Sequence, residues 1–298
     1  MKDGKKIPAL AAIGKSGWMF ILDRVTGKPV FGVEERPVAQ GDVPGEWYSP
    51  TQPFPLKPPP LARVSLKRED VVTAEDTLPE HSQACLELWN RNVFHNDGPF
   101  TPWLFHPEGS PARVTIAFPG ATGGVSWEGM ASDPTTGYVF AETKDSPLTG
   151  WIEKKRPGVR YENAELPYDR INGTVGAFAV NGLPCYRPPW SRILAVNANT
   201  GDIAWQTTLG TNDKLPEGKR KVGGAGSSGP IATAAGLVFV GAATDNRFRA
   251  FDSKTGQELW AAQLERQANA VPMTYQGRNG KQFVAVTATD TLVVFSLP

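Results

Sequence analysis

Along most of the chain, apolar and polar residues alternate with a period of two over short runs, and Gly, Pro, Asn and Asp separate the runs. This is the pattern of half-buried β-strands joined by tight turns. The clearest instance is Phe248 to Trp260. Phe248, Ala250 and Asp252 read as the alternating end of one strand. Asp252-x-x-Thr255-Gly256 then turns the chain: the carboxylate accepts backbone N–H groups across the turn, and Gly256 supplies the positive φ. Glu258 and Trp260 alternate on the returning strand, where a Trp buries a large apolar area against a neighbour.

The same phrase occurs three more times. Asp23-Arg24-Val25-Thr26-Gly27 leads to Phe31 in the Trp position, and Asp133-Pro134-Thr135-Thr136-Gly137 leads to Ala141. Asn197-Ala198-Asn199-Thr200-Gly201 leads to Trp205, with Asn keeping the turn-forming oxygen. A recurring hairpin with uneven insertions predicts an all-β fold, a partial β-propeller of about four blades across residues 1–298. Four ordinary hairpins in a β-sandwich are the alternative.

The first two strands are expected at residues 7–13 and 18–23, with Lys15 in the tight turn between them. On the residues alone, Lys15 is a solvated turn lysine. Two long irregular insertions are expected, at about 34–113 and 144–192. In the first, Pro alternates with Trp47, Tyr48 and Phe54, the composition of an ordered loop packed on the body. Residues 67–96 read as helical, because Leu86, Leu88, Trp89 and Val93 recur at helix-compatible spacing with Cys85 near the same face. The next blade is expected to open at Val114, and two further blades to occupy 193–241 and 242–298. The Gly-rich run from Val222 to Pro230 is not a phosphate cradle, since it has no Gly-Lys-Ser/Thr and no following helix.

Composition narrows the function classes. With 31 basic against 30 acidic residues and a net charge of +1, nothing favours nucleic acid or an anionic membrane. No apolar run approaches the roughly 20 residues of a membrane span. The short apolar patch after the charged opening reads as a strand instead of a signal peptide, so the chain is expected to begin inside a sheet. His81, His95 and His106 show no metal-ligand spacing, no metal site is expected, and there is no Gly-x-Ser-x-Gly elbow. Cys85 and Cys185 are either two separate buried thiols or one disulfide tying the two insertions, the latter requiring an oxidising compartment.

The wording of particular segments goes further. Gly14-Lys15-Ser16-Gly17 running into Phe20-Ile21-Leu22-Asp23, Ser49-Pro50-Thr51-Gln52-Pro53-Phe54, and Phe118-Pro119-Gly120 with Gly123-Gly124-Val125-Ser126-Trp127 stand in order along the chain. Gly182-Leu183-Pro184-Cys185 and the closing Gly229-Pro230-Ile231 to Pro272-Met273-Thr274-Tyr275 follow. In these segments the chain resembles the C-terminal half of the pyrroloquinoline-quinone (PQQ)-dependent alcohol, glucose and quinate dehydrogenases, which are eight-bladed propellers.

The resemblance implies oxidation of an alcohol or sugar, with electrons passed to a quinone or cytochrome, in the periplasm or cell envelope. It places Lys15 at the quinone oxygens and Gly123, Gly124, Ser126, Trp127, Gly226 and Ser227 along the cofactor's edge. Many members carry Asn where this chain has Ser126, which shortens that contact. The family's Ca²⁺ ligands, catalytic base and aromatic floor fall in N-terminal blades outside this chain, so no catalytic residue is assigned and the chain is expected to be inactive alone. Its expected partners are the small-molecule substrate and those missing blades. A non-catalytic propeller scaffold of the outer-membrane-assembly kind is the competing reading. Lys15, the Gly-Gly-x-x-Trp segment and the long insertions favour the enzyme.

Overall fold

The computed structural model describes residues 6–111, 113–125, 129–158, 166–172, 178–224, 226–242 and 244–296. Strands β1 (Ala9–Ile13) and β2 (Met19–Asp23) form an antiparallel hairpin about the Lys15 turn. The first insertion begins with a second hairpin, β3 (Val33–Pro37) and β4 (Thr51–Pro55). Its helix, α1 (Pro79–Asn90), is shorter than the helical reading of 67–96. Pro79 sits in its first turn, where a missing N–H costs nothing, and Leu78 before it is extended. Upstream, Val71 bridges Tyr186 in strand fashion, so tertiary pairing removes that stretch from the helix.

Strand β5 (Val93–His95) runs parallel to β6 (Arg113–Ala117). Strands β7 (Met130–Asp133) and β8 (Tyr138–Lys144) pair across the Asp133 turn. The second insertion then supplies β9 (Leu148–Lys154) and β10 (Tyr168–Asn172), which join β6 and β5 in a mixed sheet of order β10-β9-β6-β5. The short pair β11 (Ala179–Val180) and β12 (Leu183–Pro184) follows. Strand β13 (Ser191–Asn197) returns to pair with β8, and β14 (Asp202–Thr208) completes the sheet β14-β13-β8-β7. A four-stranded meander comprises β15 (Ile231–Ala232), β16 (Leu237–Ala242), β17 (Arg247–Asp252) and β18 (Glu258–Gln263). Strands β19 (Met273–Gln276), β20 (Gln282–Ala288) and β21 (Thr291–Ser296) form the last sheet.

Two expectations are corrected here. The strand at Val114 opens no blade; it joins β5 of the first insertion and β9 and β10 of the second in one sheet, and the blade opens at Met130. The Asp133 and Asn197 turns lie in one sheet, so the phrase does not count blades one for one. The second insertion falls between the second and third strands of that blade. Ala141 therefore faces the preceding sheet and never occupies a docking position.

Four propeller-type sheets still result: β1-β2, β7-β8-β13-β14, β15 to β18, and β19 to β21. Each packs face-on against the next. Met19 and Ile21 meet Ala141, Leu194 and Val196. Phe140, Ile193 and Ala195 meet Val238, Val240 and Phe251. Phe248 meets Val284, Val286 and Ala288. These side chains are buried, and each contributes about 1.5–3 kcal/mol if large. Among the described residues no helix is long and apolar enough to cross a membrane.

The turns themselves form as the sequence dictates. Asp23, Asp133, Asn197 and Asp252 each accept the N–H two residues on, at 2.8, 2.8, 2.9 and 2.9 Å. Hydrogen bonds from Val25, Thr135 and Thr255 hold the Asp23, Asp133 and Asp252 carboxyls below the usual range. The stability they add is present above the unfolded-state pKa and lost as pH falls through the depressed one; Asn197 adds no such dependence.

Gly256, at φ 70°, lies under the Trp205 ring, and a Cβ there would meet the ring at 2.3 Å. The Trp205 indole N–H donates to the Ser253 carbonyl at 3.0 Å. Phe31 covers Gly201 similarly, 3.1 Å from where a Cβ would stand. Gly27 has nothing within 4 Å of its Cβ position, and Trp260 is 38% exposed. Gly256→Ala should therefore cost about 1–3 kcal/mol of overpacking on top of the roughly 1–2 kcal/mol left-handed penalty. Gly27→Ala should cost the backbone penalty alone. Chemical denaturation of the two variants compares them directly, and equal losses would show that the ring contact contributes nothing.

Candidate functional site

The site is assembled from loops at the strand ends. The Lys15 turn is closed by the Gly17 N–H donating to the Gly14 carbonyl at 3.0 Å, with Gly17 at φ 78°. The Lys15 ammonium donates to the Ala121 carbonyl at 2.8 Å. In return the Gly124 N–H donates to the Lys15 carbonyl at 2.8 Å. A Cβ on Gly123 would stand 2.7 Å from the Lys15 side chain, and one on Gly124 would stand 2.3 Å from the Ala62 methyl. Small residues permit close backbone approach. What approaches is protein: the glycines let the Lys15 turn and the Ala121–Val125 loop lie against each other.

The next link is Lys144, at the end of β8. Its N–H donates to the Gly124 carbonyl at 2.8 Å, and its ammonium donates to the Ser227 hydroxyl at 2.6 Å. Lys144 is 4% exposed, an uncommon state for a lysine. Glu142, two residues back on the same face, accepts the Ser228 N–H at 3.2 Å. The Gly226 N–H donates to the Gly224 carbonyl at 2.6 Å. Lys15, Gly123 and Gly124 are thus in direct contact, and Lys144 connects them to Ser227 and Gly226. Ser126 and Trp127, the other two expected edge residues, lie outside the described residues.

Sequence reasoning missed Lys144 and its neighbour Asp145. The signal was a Glu-x-Lys alternation ending a strand, but alternation does not say which sheet face is covered. The Asp145 carboxylate, fully buried, accepts the Arg63 backbone N–H at 2.9 Å and the Arg192 guanidinium at 2.9 Å to each oxygen. It therefore pins the first insertion and β13 to the end of β8. Burial pushes the neighbouring Tyr186 phenol well above the usual range.

A cavity of about 160 Å³ opens beside Lys15, between Trp18, the Pro99–Thr101 loop and Ala117–Gly120. Lys15 and Ser16 put one cation and one hydroxyl on its wall, donor chemistry that suits an anionic quinone such as PQQ, while Lys144 and Ser227 stand outside it. No carboxylate among the described residues lines it, so it does not fit Ca²⁺. Among the described residues the one cluster with metal-ligand geometry is His81, Cys85 and Cys185, and both sulfurs are spent in a disulfide.

The family model described as "PQQ: Glucose/ethanol/alcohol dehydrogenase, beta-propeller domain" matches residues 1–284. The chain belongs to this quinoprotein family. Among curated quinoproteins, quinate/shikimate dehydrogenase (quinone) of Acinetobacter baylyi is 36% identical, over 97% of this chain and 37% of its own length. The glycerol dehydrogenase large subunit of Gluconobacter thailandicus is 34% identical, over 99% of this chain and 44% of its own. Quinoprotein glucose dehydrogenase of Escherichia coli is 29% identical, over 99% and 39%. The chain thus spans about two-fifths of the length of these relatives. Among solved structures, a europium-containing methanol dehydrogenase superposes with TM-score 0.52 at 20% identity, over 95% of this chain and 37% of that one. The quinohemoprotein alcohol dehydrogenase of Comamonas testosteroni gives 0.51 at 19%, over 96% and 32%. Both support the propeller fold.

Proposed function

We propose that this chain supplies the Lys15 side of the cofactor site in a PQQ-dependent dehydrogenase that oxidises an alcohol or sugar. The observation that carries the reading is the convergence of three separate segments, the Lys15 turn, Gly123–Gly124 and Gly226–Ser227, on one another through Lys144. Bound PQQ supplies the two-electron acceptor for the substrate's carbon. Lys15 holds a cation at the cavity's edge, where it stabilises negative charge that develops in the reaction. Lys144 holds the second positive charge and fixes the Ser227 hydroxyl. The catalytic base, the Ca²⁺ ligands and the aromatic floor come from further blades. Those blades dock on the open slot at Gly27, in the way Trp205 docks on Gly256. Electrons leave to a quinone or cytochrome. The site of action is the periplasm or cell envelope, a placement in keeping with a disulfide.

The test is PQQ titration in the presence of Ca²⁺, then steady-state dye reduction, for the chain alone and with complementary blades added. Alone it should bind weakly and not turn over, because a flat anion without a floor or a neutralising cation is poorly compensated for its lost hydration. With the complement, Lys15→Ala should lower kcat by about a hundredfold, a typical loss for one preorganised charge-stabilising group, with little change in KM. Robust turnover by the chain alone would overturn the reading.

A further inference from the structure

Three consecutive residues of the first insertion each meet a different segment of the site. The Leu61 N–H donates to the Gly17 carbonyl, in the Lys15 turn, at 2.9 Å. The Ala62 methyl stands where that turn meets the following loop: a Cβ on Gly17 would lie 2.9 Å from it, and one on Gly124 2.3 Å. The Arg63 N–H donates to the Asp145 carboxylate at 2.9 Å, one residue past Lys144. We propose that residues 61–63 form a strap that sets where the Lys15 ammonium stands, with Ala62 as the positioning residue. The proposal rests on the reading of Lys15 as facing the cofactor.

The strap is fixed from outside the site. Leu61 is buried with Met19 and Ile21 of β2, and Leu66 is buried with Cys85 and Phe118 in the core of the insertions. The segment therefore runs from one hydrophobic core to another. On the way Val64 lines the cleft beside Lys15, whereas Ala62 does not. Ala62 acts on the cleft at one remove.

Its means of doing so is size. Two bonds aim Lys15, and both cross the contact that Ala62 fills. The Gly124 N–H donates to the Lys15 carbonyl at 2.8 Å, and the Lys15 ammonium donates to the Ala121 carbonyl at 2.8 Å. A side chain larger than methyl at residue 62 must push Gly17 or Gly124 away. Gly124 is also tied to Lys144, whose N–H donates to its carbonyl at 2.8 Å. The Lys15 turn therefore yields first, and close packing passes the displacement to the ammonium. A cation that stabilises developing charge works by standing in place beforehand, so a Lys15 released from Ala121 retains its charge and loses its aim.

The experiment compares Ala62→Val and Ala62→Gly in the full chain. The first readout needs no PQQ: the rate at which a small amine-acylating reagent labels Lys15, followed by mass spectrometry, with the exposed Lys28 as internal reference. Ala62→Val should raise the Lys15 rate about fivefold relative to Lys28, the release of one modest hydrogen bond. The second readout is PQQ affinity. Ala62→Val should weaken it about fivefold in the native background and leave it unchanged in a Lys15→Ala background, since contacts in one chain of action are not additive. Ala62→Gly cannot push, so it should lower stability while leaving both readouts near their native values. That contrast separates positioning from packing. Should Ala62→Val not fold, Ala62→Ser adds one atom at the same contact and should give the same changes at smaller size. A Lys15 rate that rises no more than that of Lys28, or an equal loss of PQQ affinity with and without Lys15, would overturn the strap. A native chain that binds no PQQ would overturn the cofactor reading instead, while the labelling comparison still decides the strap.

Discussion

Asp145→Ala is expected to destabilise the chain by about 3–5 kcal/mol, the cost of breaking a buried pair and leaving its partner charge uncompensated. The carboxylate has no exposed surface, while the Arg192 and Arg63 side chains are 17% and 22% exposed. Arg192 gives one nitrogen to both carboxylate oxygens, and the Arg63 guanidinium lies 3.6 Å away. Removing the anion leaves these two cations facing each other and the Arg63 N–H without its acceptor. At roughly 2–4 °C per kcal/mol for a chain of this general size, the melting temperature should fall by about 10 °C. Asp145→Asn keeps an acceptor for the backbone N–H, so its loss should be smaller. Urea denaturation measures both, with an unchanged slope expected because the exposed surface hardly changes. A loss below about 1 kcal/mol for the alanine variant would place this pair with surface ion pairs of little consequence. The function would suffer with the stability. Asp145 adjoins Lys144, so loosening it frees the residue that joins the Lys15 loop to Ser227.

How much of this was legible in the sequence depended on whether an interaction is local. The Asp23, Asp133, Asn197 and Asp252 turns were readable because each is closed within five residues by its own side-chain oxygen and its own glycine. The β1-β2 hairpin and the place of Lys15 followed for the same reason. Strand partners were not readable. Val114 and Ile116 alternate as any half-buried strand does, and nothing in that alternation says that the partners are β9 and β5. The return of β13 to β8 across the second insertion was hidden for the same reason. The turn phrase was therefore a sound guide to the propeller and a poor count of its blades. In the site, Lys15, Gly123 and Gly124 were found through wording, while Lys144 escaped because a buried lysine looks like an exposed one until its sheet face is known. The resemblance set Gly123 and Gly124 along the cofactor's edge, and the structure shows them also making room for Lys15 and Ala62. A glycine marks close approach without naming what approaches.

The linkage between the two insertions gives a second large expected effect. Cys85 on α1 and Cys185 just after β12 are bonded, with Cα atoms 5.3 Å apart and 100 residues between them in sequence. A bond closing a loop of about 100 residues removes denatured-state entropy worth up to about 4.7 kcal/mol, with measured effects usually about 2–4. Both cysteines are fully buried in a cluster with Leu66, Val72, Phe118, Phe178 and Trp190, so the pair also holds the insertion core together. His81 lies beside it, its Nε2 3.3 Å from the Cys85 sulfur. The Thr77 hydroxyl at Nδ1 (2.8 Å) and the Leu183 carbonyl at Nε2 (3.2 Å) together fit a neutral ring protonated on Nε2. Burial lowers the ring's pKa, so the neutral form is the one favoured there. Replacing both cysteines by Ala, which introduces no hydroxyl into this apolar cluster, should lower stability by about 2–5 kcal/mol. Reductant should bring the native chain down to the level of the double variant and leave the variant unchanged, which separates the covalent link from side-chain packing. Because the link joins insertions and not blades, limited proteolysis of the reduced chain should cut within 34–113 and 144–192 before it cuts the sheets. A reduced native chain as stable as the oxidised one would show that the apolar cluster alone holds the insertions in place.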